Sequence, residues 1–277
     1  MSLALALIAL TSSTSTRALD LSLPPPAAAQ RRAITEFGIG DYVFSGAAGL
    51  SALVLTVAAR APSTGFRTEV LFDGALRSAL RLSDPNARAT MDSASDVAVV
   101  AVMLYPFLDA ALVWLVRDRG ALAVQMTLMN LEAYAASTLV ASMTKSAVGR
   151  VRPYAEPCFA GDTAYACRSP AARVSFISGH SASAFTAAGL SCAHHLNEEI
   201  YGDAGDAVAC GASITAALGV GLMRIAADQH WGTDVLVGGT VGFLAGYLLP
   251  ELLHYGELMA APVVGSDTQG LSISGRF

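Results

Sequence analysis

Three short polar stretches frame the reading of the whole chain: Lys145-Ser-Ala-Val-Gly-Arg-Val-Arg152-Pro153, then Ser178-Gly179-His180, then Arg224 with His230 and Asp234. Each stands at the mouth of an apolar segment. Lys145 is the only lysine in the chain and lies seven residues before Arg152, so a compact ammonium is paired with a guanidinium fork. Two cations at that spacing suit an anion with several oxygens, such as phosphate, better than a single carboxylate. Ser178-Gly179-His180 opens an apolar helical stretch, where first-turn N–H groups hold an anion and Gly179 lets the backbone approach closely. His230 and Asp234 are four residues apart, on one helix face or across its first turn. The carboxylate can then hold one imidazole nitrogen and leave the other free to attack, an orienter and nucleophile arrangement.

The rest of the chain is scaffold of one kind. Among 277 residues, 53% are hydrophobic and 14% charged, with a mean hydropathy of +0.50, which places it among membrane proteins. The net charge of -5, with no basic run or aromatic-rich basic patch, excludes a nucleic-acid partner. Six segments, at about 41 to 60, 96 to 116, 121 to 143, 180 to 197, 207 to 224 and 234 to 253, approach the roughly 20 apolar residues needed to cross a bilayer as a helix. The expected fold is therefore all-α, a polytopic membrane helical bundle of about six transmembrane helices. Its expected divisions are an N-terminal segment and Pro-rich linker (1–36), a six-span membrane domain (37–255) and a polar C-terminal tail (256–277). With six spans, the three polar clusters fall at one membrane face.

The ordered set K-x6-R-P, S-G-H and R-x5-H-x3-D resembles the type 2 phosphatidic acid phosphatase (PAP2) family, whose site is shared with vanadium haloperoxidases and bacterial acid phosphatases. The resemblance covers roughly residues 96 to 253. Two positions depart from the family pattern: Ile177 stands where proline usually precedes S-G-H, and Met223 where serine usually precedes the arginine. The resemblance implies a membrane-embedded lipid phosphatase acting on a phosphatidate-like monoester or a polyprenyl diphosphate. Lys145, Arg152, Ser178, Gly179 and Arg224 would bind phosphate, His230 would form a phosphohistidine, His180 would protonate the leaving group and Asp234 would hold the His230 tautomer. No metal or other cofactor is implied, and the expected partners are a lipid phosphate and the surrounding membrane lipids. Transfer to a lipid or glycan acceptor is the alternative, followed by a vanadate-dependent haloperoxidase or a non-catalytic membrane protein.

Orientation is balanced. Eleven of the 17 basic side chains fall on the cluster side, but eight against six remain once Lys145, Arg152 and Arg224 are set aside, so the positive-inside count decides nothing. The resemblance implies a bacterial-type inner membrane with the site facing the periplasm or outside. Cys158 and Cys167 bracket a short polar loop that a disulfide would close in an oxidising compartment, two free thiols being the other reading. Cys192 and Cys210 read as small core residues. His194, His195 and His254 read as surface or interface residues, and Asp109 and Glu132, charged within spans, as residues facing polar partners such as Asn130. Arg150 is a possible support for the phosphate site, and Glu69 to Leu82 reads as a helix along the interface. Gly238, Gly242 and Gly246 recur at a spacing of four, suited to close helix packing within the chain.

Overall fold

Glycine on one helix meets backbone on another at the centre of the structure, a computed structural model that describes residues 34–58, 69–160, 170–256, 259–264 and 269–274. Seven α-helices follow in order: α1 (Ile39–Ala58), α2 (Asp73–Leu80), α3 (Pro85–Arg117), α4 (Gly120–Val148), α5 (Gly179–Asn197), α6 (Asp203–Ala226) and α7 (Gly232–Pro250). A π-helical turn (Glu251–Tyr255) ends α7, and an antiparallel pair, β1 (Met259–Val264) and β2 (Gln269–Ser274), follows. Four helical stretches, Ile39–Val57, Pro85–Arg117, Asp203–Ala226 and Gly232–Tyr255, are long and apolar enough to cross a membrane. They carry exposed Leu53, Leu104, Trp114, Leu218 and Leu244, a surface suited to lipid. α4 and α5 occupy the positions expected for two more spans but are less apolar, because α5 is nearly all buried and carries serine, threonine and histidine instead of a lipid-facing stripe.

The glycines of α7 explain how α5 stays in the middle. A Cβ at Gly238 would stand 2.6 Å from the Ser178 carbonyl oxygen, and at Gly242 and Gly246 it would overlap the carbonyls of Ala182 and Thr186. Gly189 of α5 meets the Phe243 carbonyl in the same way at 2.6 Å. The expected intrachain role of the glycine stripe is what the structure shows, and it brings the start of α5 against the start of α7.

Local chemistry sets the helix ends. Asp84 caps α3 by accepting from the Ala87 N–H at 2.9 Å, with Pro85 in the first turn, where its missing N–H costs nothing. α4 ends on Gly149 at φ 61°, a left-handed turn that glycine adopts freely. That turn sends Arg150 and Arg152 back toward the bundle. α2 differs from the interfacial helix expected: Asp73 is fully buried, and Arg77 and Arg81 both bind the buried Asp228 between α6 and α7.

Several expectations need correction at the end of the bundle away from the three clusters. Cys192 and Cys210 are joined in a disulfide linking α5 to α6, since helical packing places their Cα atoms 4.4 Å apart, within bonding reach. The three histidines are buried, not at the surface. His195 lies between Asp206 (2.7 Å) and Asp109 (3.2 Å), His254 faces Glu132 (2.9 Å), and His194 bridges Asn130 (2.9 Å) and Tyr255 (2.8 Å). Asp109 and Glu132 thus have histidine partners, which sequence spacing does not reveal because the partners lie on other helices. Residues 1–33, and with them most of the N-terminal division, lie outside the described residues, as does the pairing of Cys158 with Cys167.

The α5–α7 contact predicts unequal costs for two glycine substitutions. Gly242→Val should lower stability by about 1–3 kcal/mol or more through overpacking, read as a fall in Tm in detergent. Gly211→Ala, where nothing lies within 4 Å of the added carbon, should be neutral or slightly stabilising.

Candidate active site

The three clusters converge at one end of the bundle, each delivered by a helix end. α4 supplies Lys145 in its last turn. The turn after Gly149 supplies Arg150 and Arg152. α5 begins with Ser178 as its N-cap, α6 ends near Arg224, and the α6–α7 turn presents His230 ahead of Asp234 in the first turn of α7. A hydrogen bond of 3.1 Å from the Ser178 N–H to the Asp234 carbonyl ties the second cluster to the third.

The positive lining is tight. A Cβ at Gly179 would stand 2.8 Å from Lys145 Nζ, so glycine there makes room for the ammonium over the α5 N-terminus. Ser178 Oγ accepts from the Ser181 N–H at 3.3 Å and pairs with Ser181 Oγ at 2.9 Å. Ser178 therefore shapes the helix start, while among the described residues no group takes the N–H of Gly179 or His180. An oxyanion at that N-terminus would meet two amide donors, Lys145, Arg152 and Arg224.

His230 sits beneath them, 2% exposed. Its Nδ1 lies 3.7 Å from Asp234 Oδ2, slightly beyond hydrogen-bond range, and among the described residues it has no hydrogen-bond partner. The carboxylate is held firmly by other donors. Oδ2 accepts from the Ser175 hydroxyl and from the Trp231 N–H (2.9 Å), and Oδ1 accepts from Arg150 Nη1 (2.7 Å). Burial, reinforced by Arg152, Arg224, Lys145 and His180, pushes the His230 imidazole well below its ordinary pKa. The neutral ring, which has a free lone pair, is therefore favoured.

Arg150, and residues with no role evident in the sequence, complete the site. Arg150 does not face the cradle; it is buried, donates to Asp73, Thr233 and Asp234, and stacks over Trp231 with its guanidinium carbon 5.5 Å from the ring centre. Asp73 in turn accepts from the Thr233 N–H at 2.8 Å and its hydroxyl at 2.9 Å. On α3, Asp92 accepts from Arg224 and from Gln229 Nε2 (2.9 Å), while Gln229 Oε1 accepts from Arg152. Asp96, one helical turn on, lies 2.7 Å from His180 Nε2 and 3.5 Å from Arg224. The i, i+4 spacing of Asp92 and Asp96 was visible in the sequence, but nothing there tied it to residues more than 80 positions away.

The arrangement is a cationic cradle with one buried imidazole below and one partly open imidazole at its rim. Among the described residues there is no cluster of metal-ligating side chains. Compared with known proteins, residues 127–256 match the model of the PAP2 superfamily. No curated protein and no solved structure matches the chain.

Two measurements follow from this geometry. Arg150→Met leaves two buried carboxylates without their shared cation and should cost about 3–5 kcal/mol, read as a fall in Tm in detergent. In ring NMR of labelled histidine, the signal that disappears in His230→Gln should stay in the neutral position as the pH falls through about 6.5. A normal titration there would contradict the electrostatics described.

Proposed function

We propose, from the premise that residues 127–256 belong to the PAP2 superfamily, that the protein is a membrane phosphatase acting on a lipid phosphate through a phosphohistidine. The observation that carries this reading is the placement of a buried imidazole, His230, under three cations and a helix N-terminus. The phosphoryl oxygens bind Lys145, Arg152, Arg224 and the amides of Gly179 and His180, which stabilise charge spread over the equatorial oxygens.

A lone pair of neutral His230 forms the N–P bond while the P–O bond to the leaving group breaks. The bonding electrons go to the leaving oxygen, which takes a proton from protonated His180. A water then attacks phosphorus, gives a proton to His180, and the P–N bond breaks to return neutral His230 and inorganic phosphate. Asp234, locked by Arg150 and Ser175, needs only a small ring movement of His230 to accept from Nδ1–H and stabilise the charged intermediate. An apolar groove between α6 and α7, lined by Leu222, Val235 and Phe243 with Leu76 of α2 and the preceding Phe72, extends to Gly232, two residues after His230. It supports a substrate whose tail stays in the bilayer. The polar end is proposed to face the periplasm or outside of a bacterial-type inner membrane, and transfer to a lipid or glycan acceptor shares the first half-reaction.

Detergent-purified protein assayed with a chelator should release phosphate from a lipid phosphate. His230→Ala should lose at least about a thousandfold in kcat/KM. Undiminished release by that variant, or dependence on an added metal, would refute the mechanism.

A further inference from the structure

We infer that the site prefers a phosphate monoester with an uncharged alcohol leaving group over a diphosphate, because the carboxylate of Asp96 stands where the leaving group emerges. The inference rests on the phosphatase reading above and concerns its substrate. Exposure gives the site a direction. The side chains of His230 and Arg224 are 1% and 4% exposed, that of His180 26% and that of Asp96 62%. In phosphoryl transfer the attacking and leaving oxygen or nitrogen atoms lie on opposite sides of phosphorus. With His230 at the closed end, the leaving oxygen points to His180, and whatever is attached to it passes Asp96.

Two consequences of that carboxylate favour the monoester. An alkoxide is a strong base and needs its proton as the P–O bond breaks; Asp96, 2.7 Å from His180 Nε2, stabilises the imidazolium that supplies it. A phosphate leaving group is a weaker base and gains less from the acid. It also carries negative charge past Asp96 and Asp92, the second with 34% of its side chain exposed, and like charges at such a distance repel. The mouth offers little compensation. Among the described residues only His180 and Arg224 come within ion-pair distance of Asp96. Arg88, further up α3, spends Nη1 on the carbonyls of Leu82 and Ser83 at 2.9 and 3.0 Å. Asp92 and Asp96 lie outside residues 127–256, so the family match does not include this feature.

The test uses one prenyl alcohol as its monophosphate and as its diphosphate, in detergent micelles with the full chain, following initial loss of each. The parent should favour the monophosphate in kcat/KM by roughly tenfold or more. Asp96→Asn should narrow the ratio by about the same factor, mainly by slowing the monophosphate, and Asp96→Glu should restore most of it. The exposed position of Asp96 lets these variants fold. A parent that takes the diphosphate as well or better, or a ratio unmoved by Asp96→Asn, overturns the inference and leaves the phosphatase reading standing. Cleavage of neither compound removes both.

Discussion

Backbone against backbone along α5 and α7 is the constraint on which the other features depend. Gly189 on one helix and Gly238, Gly242 and Gly246 on the other let carbonyls sit where side chains would normally keep the axes apart. The two helices carry different thirds of the site: Ser178 to His180 begins α5, and His230 and Asp234 begin α7. The close approach therefore fixes the distance between the anion-binding N-terminus and the nucleophile. The Ser178 to Asp234 main-chain hydrogen bond is its local expression.

Charge is arranged in two tiers. The upper tier, Lys145, Arg152 and Arg224, faces the cradle; Asp92 and Asp96 offset its charge, and neutral Gln229 links Arg152 to Asp92. The lower tier is the buried set Asp73, Arg150 and Asp234, closed by Thr233 and Trp231. Burying three charges is costly, and such a set is sustained only when each member is hydrogen-bonded on several sides. That condition is met because α2 folds over the end of the bundle, with Arg77 and Arg81 gripping Asp228. A short amphipathic helix that would otherwise lie at a membrane interface becomes part of the support for Asp234.

Residues whose roles follow from neighbours in sequence were legible beforehand. The helix start at Ser178, the glycine spacing in α7 and the convergence of the three clusters all follow from local pattern and from counting apolar segments. What escaped were pairings across the bundle. Asp73 with Arg150, Asp96 with His180, His195 with Asp109, His194 with Asn130 and His254 with Glu132 join elements far apart in the chain. Spacing carries no record of which helices become neighbours. Cys192 and Cys210 were misread for the same reason, since a cysteine on an apolar face looks like any small core residue until its partner helix is placed. The span count suffered from the converse problem: α5 is shielded by other helices, so its apolarity is not what a lipid-facing helix would require.

The distribution of histidines has a practical consequence. All five in the chain are described, and His194, His195, His230 and His254 are each 4% exposed or less. Only His180 has a substantial part of its ring open, at 26% of its side chain. An electrophile selective for imidazole therefore finds a single accessible address, at the rim of the cradle. The molecule can be tagged there by its own chemistry, without an engineered cysteine, and occupancy of the cradle read from how slowly the tag goes on.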